Sequence, residues 1–320
     1  MTWHLIAAAA AALTASAAAQ VPPAVAPEEI GAFDDVPENE VIDLELERFR
    51  RMTVPVTIGG EGPFRFMIDT GAQATVLSRD LADRLQLNDR ETATLVGMAS
   101  RRQVETTAIA DFALGSRNFY IRSAPVVEGA HIGDADGILG LDSLQNQRVL
   151  LDFAKDQITV ADAEDLGGNR GYEIVVRARN RLGQLIITQA RLDGVKVAVI
   201  VDTGAQGSVG NLALLERLRH TRVIGEVKLT DVNGVQLSGP VRVARELTVG
   251  RASVQNFPLM FADSPPFHGL GLDDEPALIL GMAELKLFRR VAIDFKSRQV
   301  LFDMPPNAWL ASQRFAALGN

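Results

Sequence analysis

The pentapeptide Asp-Thr-Gly-Ala-Gln occurs twice in this 320-residue chain, as Asp69-Thr70-Gly71-Ala72-Gln73 and as Asp202-Thr203-Gly204-Ala205-Gln206. Each copy follows an apolar alternating run, Phe64-Arg65-Phe66-Met67-Ile68 in the first case and Val197-Ala198-Val199-Ile200-Val201 in the second. The sets Phe64/Phe66/Ile68 and Val197/Val199/Val201 fall at period two, the pattern of strands with one buried face. Past each Gln the register holds at an offset of 133: Val76 matches Val209, Ser78 matches Asn211, Leu81 matches Leu214 and Leu85 matches Leu218. Ser78 and Asn211 are good helix N-caps, and leucines four apart give each short helix a buried stripe. Ile138-Leu139-Gly140 is echoed by Ile279-Leu280-Gly281, and Val149-Leu150-Leu151-Asp152-Phe153 by Val291-Ala292-Ile293-Asp294-Phe295. The offset there is 141 to 142, so the second half carries an insertion, which the Pro- and Gly-rich stretch 262–276 accounts for. A lone Asp-Thr-Gly signals no more than a tight turn. Two identical acidic loops with matching flanks predict a duplicated β unit whose two acids, Asp69 and Asp202, form a paired-carboxylate site.

The arrangement resembles the aspartic peptidases, specifically retropepsin-like domains fused in tandem as in bacterial periplasmic proteins, over about residues 44 to 304. The resemblance implies a mostly-β (all-β with a few short helices), bilobal acid-protease fold, its two homologous retropepsin-like β-barrel halves related by a pseudo-twofold axis. Residue by residue it implies Asp69 and Asp202 as the catalytic pair and Thr70 and Thr203 bonding across the axis. Gly71 and Gly204 would let backbone amides approach the carboxylates, and Ile138, Leu139, Gly140, Ile279, Leu280 and Gly281 would pack beside the acid loops. The implied activity is that of an aspartic endopeptidase. Two adjacent carboxyls retain one shared proton; the ionised one activates water and the protonated one stabilises the developing oxyanion, with no cofactor and no metal. Pepsin-like relatives commonly carry Ser or Thr where this chain has Ala72 and Ala205. Without that hydroxyl the pair is expected to titrate higher, giving an optimum at about pH 5 to 7. Peptide substrate is expected to lie extended beneath hairpin flaps. The candidates are Val96-Gly97-Met98-Ala99-Ser100 and Asp231-Val232-Asn233-Gly234, the latter with the Asn-Gly pair of a tight turn. Neither has the flap tyrosine of pepsin-like enzymes. Two halves in one chain would build the cleft in cis, so the protein is expected to be a monomer. The alternative is a peptide-binding module that keeps this fold without turnover.

Domain organisation is expected as a signal peptide over 1–19, a flexible leader over 20–43, repeats over 44–161 and 172–304 joined by a linker at 162–171, and a tail from 305 with a short helix around Trp309 and Leu310. Leu5 to Ala19 is apolar, ends in Ala17-Ala18-Ala19 and is shorter than a membrane span, which predicts export to the periplasm without a stable anchor. At 47% apolar and 22% charged residues the chain can bury a sizeable core. A formal charge of −8 argues against nucleic-acid binding, with Arg48/Arg50/Arg51, Arg101-Arg102 and Arg289-Arg290 read as solvated faces. No cysteine is present, and His4, His131, His220 and His268 show no metal-ligand spacing. Asp134-Ala135-Asp136-Gly137 lacks the remaining ligands of a calcium loop and reads as a turn. Gly59-Gly60-Glu61-Gly62 lacks the Lys-Ser/Thr of a phosphate loop and reads as a hairpin, and Ser208 has no histidine partner for nucleophilic chemistry.

Overall fold

The computed structural model describes residues 4–6, 53–133, 135–218 and 221–305. The expected signal peptide beyond residue 6, the leader and the tail helix lie outside the described residues, as do Asp134 and His220. The first half holds β1 (His4–Ile6), β2 (Thr53–Ile58), β3 (Glu61–Ile68), β4 (Val76–Ser78), β5 (Glu91–Val96), β6 (Arg101–Leu114), β7 (Arg117–Val127), β8 (Gly137–Leu139), β9 (Arg148–Asp152) and β10 (Gln157–Ala161). The second holds β11 (Ile174–Arg181), β12 (Gln184–Leu192), β13 (Val195–Val201), β14 (Val209–Gly210), β15 (Val223–Thr230), β16 (Gln236–Val249), β17 (Ala252–Phe261), β18 (Ala277–Leu280), β19 (Arg290–Asp294) and β20 (Gln299–Asp303). Short helices punctuate both: α1 (Arg79–Arg84), α2 (Leu141–Leu144), α3 (Leu212–Arg217), α4 (Pro265–Gly269) and α5 (Met282–Leu285). The molecule is therefore mostly β, with two barrel-like halves.

Duplication in sequence is duplication in topology. In the first half β3 pairs in parallel with β8, β4 in parallel with β7 and antiparallel with β8. In the second, β13 with β18, β14 with β17 and β14 with β18 repeat the same three relations. The alternation read from the sequence holds: Phe64, Phe66 and Ile68 are buried on β3, and Val197, Val199 and Val201 on β13. Ser78 and Asn211 cap α1 and α3, each side chain accepting a hydrogen bond from the backbone N–H three residues on, Leu81 at 3.2 Å and Leu214 at 2.9 Å. Gly59 and Gly60, both at positive φ, turn β2 into β3, so this glycine-rich run is a hairpin.

The halves are joined by a shared sheet with strand order β10-β9-β19-β20-β11. Here the repeated Val149–Phe153 and Val291–Phe295 segments pair with each other: β9 runs antiparallel to β19, with Val149 opposite Ile293 and Leu151 opposite Val291. All four side chains are buried in a core cluster that draws on both halves. Arg148 and Asp294 form an ion pair at 2.6 Å with both side chains almost fully buried. Arg148 also donates to Asn169 Oδ1 at 2.7 Å and to the Gly168 carbonyl, tying the connecting segment to this sheet. The inserted residues fall between β17 and β18, where 262–276 includes α4; the first half has a single 3-10 turn, Gly129–Ile132, in the corresponding place.

Candidate active site

Each acid loop leaves the end of a buried strand and is gripped by the Ile-Leu-Gly segment of its own half. Asp69 N–H donates to Leu139 O at 3.1 Å, and Leu141 N–H to Ala72 O at 2.8 Å; Asp202 N–H donates to Leu280 O at 3.0 Å, and Met282 N–H to Ala205 O at 2.8 Å. Gly140 and Gly281 are needed because the loop lies directly on them. A Cβ at Gly140 would stand 2.4 Å from the Ala74 carbonyl, and one at Gly281 would stand 2.6 Å from that of Gly207.

The two loops meet across the pseudo-twofold axis through their threonines. Thr70 Oγ1 donates to Val201 O at 2.8 Å and accepts from Thr203 N–H at 3.2 Å. Thr203 Oγ1 reciprocates, donating to Ile68 O at 2.7 Å and accepting from Thr70 N–H at 3.1 Å. Both hydroxyls thus use donor and acceptor capacity on the opposite half, which fixes the separation of the two acids.

Asp69 and Asp202 are both 0% exposed. The inner oxygen of Asp69 accepts from Gly71 N–H at 2.8 Å and Ala72 N–H at 2.9 Å, and that of Asp202 from Gly204 N–H at 2.8 Å and Ala205 N–H at 3.1 Å. Among the described residues, no amide or hydroxyl donates to the outer oxygens, and position four is alanine in both loops. A Cβ at Gly71 would come within 2.4 Å of Asp202 Oδ2, so the first loop admits the opposing carboxyl only because that residue is glycine. The crossed threonines and the approach of Asp202 Oδ2 to Gly71 make the two carboxyls neighbours. Burial pushes both upward: Asp69 goes well above its ordinary value, further raised by the charge of Asp202, while Asp202 moves from 3.8 to about 6 by burial, held back by the Gly204 N–H and by Asp69.

Supporting residues that the sequence reading passed over complete the frame. Thr75 Oγ1 donates to Asp142 at 2.6 Å and accepts from Gly140 N–H at 3.2 Å; Ser208 Oγ donates to Glu284 at 2.6 Å and accepts from Gly281 N–H at 3.1 Å. Thr75 and Ser208 are 133 positions apart, the offset of the acid loops, so the repeat itself carried the signal. Ser208 is thereby a buried hydroxyl holding a loop. Gln184 crosses between halves to donate to the Gly71 carbonyl.

The structure also brings together the two candidate flaps. Gly97–Ser100 turns β5 into β6, and 231–235 turns β15 into β16. Ala99 N–H and Ser100 Oγ donate to Asp231 Oδ2 at 3.1 and 2.7 Å, and Asn233 Nδ2 donates to Ser100 Oγ at 2.9 Å. Met98 and Val232 are buried at the tips, Val96 and Asn233 beside them, and Gly234 sits against the ring of His131. Among the described residues no group of His, Asp and Glu is arranged to hold a metal ion. An open pocket lined by Arg179, Lys196, Arg217 and Glu275 lies on the second half and includes no residue of either acid loop.

Two barrel-like halves with a carboxyl pair held where their loops cross define a bilobal acid-protease class of fold. Comparison with known families gives the more particular statement. Residues 54–146 match a family described as "gag-polyprotein putative aspartyl protease", and residues 188–283 one described as "Aspartyl protease". Each half thus contains a stretch similar to an aspartyl protease family, and each stretch includes that half's acid loop. Among solved structures, a retropepsin-like aspartic protease from Rickettsia conorii aligns at 20% identity and a TM-score of 0.29, covering 40% of this chain and 88% of that one. No curated protein matches.

Proposed function

We propose that this protein is an aspartic endopeptidase with Asp69 and Asp202 as its catalytic pair. The observation that carries the reading is the pair itself: two fully buried carboxyls on equivalent loops, inner oxygens held by amides, outer oxygens bonded to no amide or hydroxyl among the described residues. Two carboxyls this close cannot both ionise cheaply, so one proton is retained between them. The ionised member takes a proton from a water at the outer oxygens and the resulting nucleophile attacks the peptide carbonyl. The protonated member donates to the developing oxyanion, and a proton then passes to the departing amine. Carboxylate and carboxylic acid act together, so no acyl-enzyme forms.

The peptide lies extended between the acid pair and the hairpin tips, with main-chain bonds to strand edges and alternate side chains in apolar pockets. Export to the periplasm, supported by the apolar run ending in Ala17-Ala18-Ala19, makes segments of exported or membrane proteins the substrates. Incubating the purified protein with an unstructured protein between pH 3 and 8, beside Asp69→Asn and Asp202→Asn, tests the activity. Cleavage that either substitution abolishes is the expected result. A folded protein that binds peptide but never cuts it, with both variants binding equally well, would instead establish a non-catalytic peptide-binding module.

A further inference from the structure

The two hairpin tips are related by the repeat but differ at one decisive position. The residue directly after β5 is Gly97 and the one directly after β15 is Asp231; the next in each, Met98 and Val232, is apolar and buried. A Cβ at Gly97 would stand 2.4 Å from Asp231 Oδ2, so the carboxylate fills the space the glycine leaves. Asp231 is itself 0% exposed. One oxygen accepts from Ala99 N–H and Ser100 Oγ of the opposite tip; the other accepts from Asn233 and Val235 N–H of its own, at 3.0 and 2.9 Å. Around this contact the tips exchange apolar residues. Met98 is buried in a cluster of second-half residues that includes Ala205, Val209 and Ile279. Val232 is buried in a first-half cluster with Ala72, Val76 and Ile138. Ala72 and Ala205 are the fourth residues of the acid loops. Ser264, in the inserted segment, donates to Met98 O at 2.6 Å and fastens the first tip to the second half.

Taking the tips as lids of the proposed peptidase site, we propose that Asp231 is a positioning residue, a one-sided latch that binds both lids into a single closed cover above the acid pair. The physical argument is asymmetry. A twofold dimer of identical chains would set Asp against Asp, two buried like charges, or Gly against Gly, which leaves a gap. Two halves within one chain can diverge, one tip supplying the carboxylate and the other the vacated space. Entry of a peptide then requires two hydrogen bonds to a buried charge to break and Met98 and Val232 to leave the opposing clusters.

The test reads lid position directly in the full chain. No native cysteine competes for label, so a nitroxide pair at Arg101→Cys and Gln236→Cys, exposed positions at the bases of the tips, reports their separation by pulsed electron–electron resonance. Amide hydrogen exchange of Ala99 gives a second readout. The unaltered tips are expected to give one narrow distance. Asp231→Ala and Gly97→Ala each add a longer population and speed exchange at Ala99 about tenfold to a hundredfold, the loss of bonds to a charged acceptor. Adding Gly97→Ala to Asp231→Gly changes neither reading further, because the side chain it would strike is gone. Ser100→Ala keeps the Asp231 side chain and its bond from Ala99 N–H but removes two inter-tip bonds, the one Ser100 Oγ donates to Asp231 and the one it accepts from Asn233; it shows a shift in the same direction, so the result stands even where Asp231→Ala folds poorly. An unchanged narrow distance and a protected Ala99 in the Asp231 variants, or additive effects of the two substitutions, overturn the latch. Distances and exchange are read whether or not the protein cleaves peptide, so failure of the latch and failure of the peptidase reading are separable.

Discussion

At the scale of single residues, burial governs the chemistry of the carboxyl pair. Burial pushes Asp202 up to about 6 and lifts Asp69 well above its ordinary value, with the charge of Asp202 adding to the rise, and the two ionisations belong to the coupled pair. The form with one shared proton is populated only above the first ionisation. The acid limb of kcat/KM is therefore expected near pH 6, with the alkaline limb above it; full activity at pH 3 would contradict this. Stability follows the same shift with its own sign. A carboxyl raised from 3.8 to about 6 favours the folded state fully below about pH 4 and loses that contribution as pH rises through 6. Asp202→Asn, which stays neutral, should unfold at the same urea concentration as the parent at pH 4 and be more stable at pH 7 by roughly 3 kcal/mol, given about 1.4 kcal/mol per pH unit. Equal stability at both pH values would show that Asp202 is ordinary in solution.

Between elements, the two halves are locked by paired polar contacts whose partners cannot be removed singly. Thr70→Ala deletes a bond to Val201 O and strands the Thr203 N–H. A cost of about 2 to 4 kcal/mol in chemical denaturation is expected, because the orphaned groups are buried. In the shared sheet, Arg148→Ala leaves the Asp294 carboxylate buried without its partner and should cost about 3 to 5 kcal/mol, whereas Arg148→Met with Asp294→Leu should be close to neutral. A single-substitution cost no larger than that of the double would show that the ion pair contributes little to holding β9 against β19.

For the whole molecule, a peptidase site built in cis, as proposed, would need no second copy of the chain. Both acid loops, both hairpin tips and both strands of the β9–β19 pair come from one chain. Specific activity is expected to stay constant from nanomolar to micromolar protein, with sedimentation as a monomer throughout; activity that falls on dilution would show that the site needs a second copy.

What the amino-acid sequence determined is the local and the repeated. Alternating apolar residues set the faces of β3 and β13, Ser78 and Asn211 set the starts of α1 and α3, and Gly59-Gly60 set a turn. The offset between copies pointed to the paired acids and to the insertion at 262–276. These features were legible because each depends on neighbours a few residues away or on a pattern that recurs. What only the tertiary structure decided is how one half lies on the other: the crossed threonines, the Arg148–Asp294 pair, and the carboxylate of Asp231 against Gly97. In sequence Asp231-Val232-Asn233-Gly234 and the segment around Gly97 read as two candidate flaps, with nothing to pair Asp231 with Gly97. Their complementarity exists only after two chain segments more than a hundred residues apart are brought within hydrogen-bond range, and no local propensity encodes a contact made across a pseudo-twofold axis.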